Sequence, residues 1–61
     1  MYTVSVKNSG SGISLYEGNY QQCLALYSAL CAFPSDIIRI ELYETNTCEV
    51  ILKYLSPEWN D

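Results

Sequence analysis

Sixty-one residues with seven carboxylates against three cations, a net charge of −4, make one small domain whose sign repels a phosphate backbone, which disfavours direct nucleic-acid binding. The absence of histidine removes the commonest general base and the commonest metal ligand together, and excludes Ser-His-Asp and Cys-His chemistry. A chain this short buries only about 60% of its unfolded surface, a thin core that oligomerisation, a metal or disulfides usually reinforce.

The first element runs from Met1 to Lys7. Tyr2, Val4 and Val6 alternate with Thr3, Ser5 and Lys7, the pattern of a half-buried strand. After the turn-forming run NSGSG (residues 8–12), residues 13–17 alternate again, and Ile13 and Leu15 are expected to match the apolar face of the first strand in a β-hairpin. Gly18 ends that strand and Asn19 is a good N-cap for a helix.

The helix extends to Phe33 and contains no Asp, Glu, Lys or Arg. At 100° per residue, Tyr20, Cys23, Leu24, Leu26, Tyr27, Leu30, Cys31 and Phe33 form one broad apolar stripe, and Gln21, Gln22, Ala25, Ser28, Ala29 and Ala32 form the other half. Pro34 stops it.

IIRIELYE (residues 37–44) and CEVILKYL (residues 48–55) are the clearest strands. Ile38, Ile40 and Leu42 share a face with Cys48, Val50, Leu52 and Tyr54 only through an odd loop. A loop of residues 44–46, with Asn46 left-handed, sets Glu41 opposite Glu49; residues 45–47 set Arg39 opposite Lys53. The first is preferred, because a basic partner relieves an acidic pair. Ser56, Pro57 and Glu58 resemble a short helical turn, and Trp59 is expected to pack back over a core edge.

The expected fold is therefore α+β, a four-stranded antiparallel sheet in the order β-β-α-β-β with one helix on one face, and β-α-β-β as the fallback. The three cysteines are an odd number, and Cys23 and Cys31 lie about 12 Å apart along a helix, beyond disulfide reach. Cysteine usage, the absence of a leader-like start and the lack of an apolar run of about 20 residues point to a cytoplasmic protein that does not span a membrane. No cysteine spacing suits zinc, the GSG run lacks the lysine of a phosphate-binding loop, and no cofactor is expected. Tyr2, Tyr20, Tyr27 and Tyr54 are expected in the core, Tyr16 and Tyr43 outward.

One helix covers one face of a sheet, so the other face needs an explanation. Ile37, Tyr43, Ile51 and Leu55 are expected there among Arg39, Glu41, Glu49 and Lys53, an apolar patch with a charged rim such as interfaces carry. The small, uncharged helix face of Gln21, Gln22, Ala25, Ser28 and Ala29 is a secondary candidate. In size, acidity and layout the chain is similar to short proteins carried by phages and mobile elements. The reading is a non-catalytic protein-binding module, an inhibitor of that type presenting Glu41, Glu44 and Glu49 to a basic host protein that handles nucleic acid. The alternative is a homo-oligomeric structural or scaffold protein.

Overall fold

The computed structural model describes residues 1–10, 12–33 and 36–57. Along the chain lie β1 (Tyr2–Asn8), β2 (Gly12–Gly18), α1 (Tyr20–Ala32), β3 (Ile37–Glu44) and β4 (Val50–Leu55). The strands form one antiparallel sheet in the order β2-β1-β3-β4, with α1 packed on one side. This is the expected α+β arrangement, with β2 a regular strand, so the fallback without it falls away.

The core forms where β1 and β3 meet the helix. Val4, Val6, Ile40, Leu42 and Cys23 are buried there, and Leu24, Leu26, Tyr27, Leu30, Leu52 and Tyr54 pack around them. The helix therefore divides as its sequence predicts, with Gln21, Gln22, Ala25, Ser28, Ala29 and Ala32 all exposed. Two stripe residues depart from the expectation. Tyr20 at the first turn is exposed and meets the Tyr2 ring edge-on at 5.2 Å, and Phe33, past the last turn, is 81% exposed.

Both helix ends have local causes. Asn19 Oδ1 accepts from the Gln22 N–H at 2.8 Å while Gln22 Oε1 accepts from the Asn19 N–H at 3.1 Å, a reciprocal capping box. At the other end the Phe33 N–H donates to the Ala29 carbonyl at 3.3 Å. Pro34 lies outside the described residues, as do Glu58 and Trp59, on which the expected C-terminal turn and the packing over the core edge depend.

Registers depart from expectation in three places. First, Asn8 pairs with Gly12 and Val4 with Tyr16, so residues of equal parity face each other across the first hairpin. The apolar positions of β1 are even and those of β2 are odd, so Ile13 and Leu15 fall on the side away from the helix, opposite Lys7 and Ser5. Tyr16, expected outward, takes the helix side instead.

Second, the β1–β3 ladder shifts between Lys7 and Asn8. Lys7 pairs with Arg39 and Asn8 with Ile37, leaving Ile38 as the extra residue of a bulge. Ile37 crosses to the helix side and is only 8% exposed.

Third, Leu42 pairs with Leu52 and Glu41 with Lys53, but Tyr43 pairs with Val50, so a second bulge falls at Ile51. Neither proposed register of this hairpin forms: Glu41 faces Lys53 rather than Glu49, and Arg39 faces Leu55 rather than Lys53. The connection is longer than three residues, and its left-handed residue is Cys48 (φ 61°), not Asn46. Cys48 and Val50, expected on the buried face, are exposed.

Candidate functional site

A helix about 10 Å across covers roughly two strands spaced about 4.8 Å apart. Here α1 lies over β1 and β3 more than over β2, and among the described residues much of the outer strands and of the opposite face of the sheet is left exposed. The open face is the candidate site.

Its side chains fall in rows fixed by the ladders. One row runs Glu17, Thr3, Tyr43 and Val50, the next Leu15, Ser5, Glu41 and Lys53, and the third Ile13, Lys7, Arg39 and Leu55. The exposed aliphatic groups thus lie on the two outer strands, together with Glu17 and Lys53, while Thr3, Ser5, Lys7, Arg39, Glu41 and Tyr43 occupy the middle. Ile13 is 58% and Leu15 61% exposed; Val50, Ile51 and Leu55 are exposed on the far strand.

All three side-chain cations, Lys7, Arg39 and Lys53, lie on this face, and among the described acids Glu17 and Glu41 share it. Arg39 Nε stands 3.9 Å from Glu41 Oε1, and Glu41 also faces Lys53 across the β3–β4 ladder. Such exposed pairs contribute about 0 to 1 kcal/mol each, enough to balance the local field and little more. Lys7 lies directly opposite Arg39, a like-charge pair, and makes no ion pair among the described residues.

The remaining described acids gather elsewhere. Glu44 ends β3 and Glu49 lies in the connection to β4, at the same end of the sheet as Glu17, and Asp36 precedes β3 at the other. Glu44 Oε1 accepts from the Asn46 N–H at 2.6 Å and from the Thr47 N–H at 3.2 Å, and Oε2 lies 3.5 Å from the Met1 amino group. The Asn46 N–H, above all, holds the Glu44 carboxyl below the usual carboxylate range, against the opposing pull of partial desolvation. Under this turn Thr3 Oγ1 and Thr45 Oγ1 share a hydrogen bond of 2.6 Å, and Thr3 is 2% exposed although it belongs to the open face.

Of the expected partner-binding residues, Arg39, Glu41, Tyr43, Ile51, Lys53 and Leu55 are brought together on the open face. Glu44 is engaged in its own turn, and Glu49 lies beside that turn, exposed. Ile37 is corrected to the core: the bulge at Ile38 places it opposite Asn8, under the helix. The reading of the hairpins missed Ile13, Leu15, Lys7 and Val50 as members of the face. For the first three the signal was present: a three-residue loop after Asn8 pairs equal parities and forces Ile13 and Leu15 outward, and Lys7 alternates with buried Val4 and Val6.

A second concavity lies on the helix side, where α1 leaves β2 uncovered. It encloses about 610 Å³ and is lined by Val6, Tyr16, Leu26, Leu30 and Phe33, with Asp36 at one wall. The described lining sets these apolar side chains beside the Asp36 carboxylate and the Tyr16 hydroxyl, so it offers shape and apolar surface together with polar groups. Among the described residues no group of three or more Cys, Asp or Glu is placed to hold a metal ion, and no helix is long and apolar enough to cross a membrane.

No family model matches the chain, and neither does any curated protein or any solved structure.

Proposed function

We propose that this protein is a non-catalytic binding module that docks another protein on the open face of its sheet. One observation carries the reading: β2 turns its apolar side away from the helix, so that Ile13 and Leu15 stand exposed on the same face as Val50, Ile51 and Leu55. Burying them on the core needed only a hairpin loop one residue shorter or longer. Ile13, Leu15, Val50, Ile51 and Leu55 give this face exposed apolar area, and Arg39, Glu41, Lys53 and Lys7 beside them offer polar contacts, two things that protein interfaces combine.

The charge distribution refines the partner. Among the described residues the open face carries Lys7, Arg39 and Lys53 against Glu17 and Glu41, a slight positive excess, and the surplus of acid lies off that face at the turn end with Glu44 and Glu49. An inhibitor of the phage or mobile-element type acting on a basic nucleic-acid-handling protein would contact that protein through this end, with the apolar face supplying most of the binding energy. The exposed neutral helix face of Gln21, Gln22, Ala25, Ser28 and Ala29 is polar at its first turn and carries no large hydrophobic side chain.

The test is affinity capture from lysate with the tagged chain, compared with Leu55→Asp and Ile51→Asp chains of unchanged far-ultraviolet circular dichroism. A partner retained by the parent chain and lost with either variant supports the open face. Loss on charge reversal at Glu49, with a steep salt dependence, supports a basic partner. A captured set that no face variant alters removes the proposal.

A further inference from the structure

The two edges of the sheet are not alike. β4 carries the devices that discourage strand addition: a bulge opposite Tyr43, a lysine in its middle at Lys53, and Pro57 shortly after its end. β2 carries none of them. Its ladder with β1 runs unbroken from Gly18 opposite Tyr2 to Gly12 opposite Asn8; it contains neither Lys nor Pro; and its single charged residue, Glu17, stands near one end. A seven-residue edge with no register shift, carrying exposed Ile13 and Leu15, is a template for another strand.

We infer that the strand added at this edge is β2 of a second copy, joined antiparallel about a two-fold axis at Leu15 to give a continuous eight-stranded sheet. Three features of the chain select a second copy. The first is register. With Leu15 opposite Leu15, Gly12 falls opposite Gly18, Ile13 opposite Glu17 and Ser14 opposite Tyr16, so the whole strand is paired; any other register leaves residues hanging past the end of the facing strand. Two leucines on the axis supply a directly opposed apolar pair where the open face is most exposed.

The second feature is charge. In this register the row that ends in Thr3 and Glu17 continues into Ile13, Lys7 and Arg39 of the second copy. Glu17 and that Lys7 are separated by two strand spacings, about 10 Å, which their long side chains bridge across the intervening Ile13. The like-charge pair Lys7 and Arg39, answered among the described residues of the same copy by Glu41 beside Arg39, thus receives a second acid from the other copy, and the two-fold axis supplies the contact twice.

The third is the helix side. A two-fold axis perpendicular to the sheet keeps both helices on one side, and there it sets Tyr16, 49% exposed, beside Ser14 of the second copy, at the wall of that copy's groove. The same contact that pairs the edges therefore covers an exposed ring, and adds apolar burial to a core that is thin for its size. The inference goes beyond the binding role. A dimer through β2 leaves the open face uncovered and joins two such faces into one platform with Ile13 and Leu15 of both copies at its centre.

Sedimentation equilibrium of the full chain up to high micromolar concentration, with Leu15→Lys alongside, tests it. A dimer is expected for the parent, and at least about tenfold weaker association for the variant, whose two lysines face each other on the axis. Cysteine cross-linking in a Cys48→Ser background reads the register directly. Directly opposed residues have Cα atoms about 4.5 to 5.5 Å apart, a separation that a disulfide spans. Leu15→Cys should therefore cross-link with itself. Ile13→Cys and Glu17→Cys chains should cross-link when mixed, and neither should do so alone beyond the Cys48→Ser parent. A parent that stays monomeric, a dimer indifferent to Leu15→Lys, or cross-linking that ignores this pattern overturns the inference. A monomer whose partner is still lost with Leu55→Asp would leave the binding role standing, so the two failures are distinguishable.

Discussion

Leu15 stands across the β1–β2 ladder from Ser5, on the side of the sheet that the helix does not reach. A small polar neighbour leaves the leucine without apolar cover within its own chain, so its hydrophobic area contributes little to the folding of one copy.

Leu15→Thr is accordingly expected to change the stability of the isolated copy by less than about 1 kcal/mol, because no cavity forms and threonine suits a strand. Ile40→Ala, at a site with no exposure on the central strand β3, should cost about 2 to 5 kcal/mol. Urea denaturation at low protein concentration, where association is negligible, checks both. A loss at Leu15 as large as that at Ile40 would show that β2 lies the other way up.

The bulge at Ile38 makes a sharper test, since it moves one residue from the expected interface into the core. Ile37→Ala should destabilise by roughly 2 to 4 kcal/mol, while Leu55→Ala, at the outer strand of the open face, should cost under about 1 kcal/mol. Equal and small effects in chemical denaturation would put Ile37 back among the exposed residues.

Gly18 sits against the helix cap. A Cβ at this position would come within 2.6 Å of Gln22 Oε1, the atom that accepts from the Asn19 N–H. Gly18→Ala therefore displaces the glutamine arm of the capping box while leaving the Asn19 arm in place. About 0.5 to 1 kcal/mol of stability should be lost, and Asn19→Ala, which removes the other arm, should cost about 1 kcal/mol. If the loss arises at the cap, Gly18→Ala should cost much less in an Asn19→Ala, Gln22→Ala background, as thermal unfolding of the series will report.

Much of this architecture is legible in the sequence for reasons that are local. Asn19 followed by Gln22 marks a helix start, and the 100° pattern from Gln21 to Ala32 sorts its faces correctly because helix period is insensitive to what lies elsewhere in the chain. Strand faces are different. Each depends on a parity, and a single inserted or omitted residue reverses it. The bulges at Ile38 and Ile51 exchange Ile37 for Val50 on the open face, and the loop after Asn8 sends Ile13 and Leu15 outward. Bulges are fixed by how neighbouring strands pair over the whole sheet, which alternation within one segment does not encode. Arg39, Glu41, Tyr43 and Lys53 were placed on the correct face because they lie between the bulges.

The acid response of the β3–β4 turn follows from Glu44. Its carboxylate accepts from the Asn46 and Thr47 N–H groups, and these bonds lower its pKa in the folded chain. A carboxyl depressed on folding stabilises the fold fully above its unfolded value of about 4.3, and that contribution disappears as pH falls through the lower folded value. Thermal unfolding followed downward from neutral pH should therefore show a loss of melting temperature beginning near the ordinary carboxylate range. In Glu44→Gln that loss should shrink, because an amide oxygen still accepts from the Asn46 N–H but does not titrate. Glu49→Gln should leave the acid response closer to that of the parent, since the Glu49 carboxylate accepts no hydrogen bond among the described residues. Should the two amide variants respond alike to acid, the turn is not held by the Glu44 carboxylate, and the placement of Glu44 in its own turn rather than at a partner's surface loses its support.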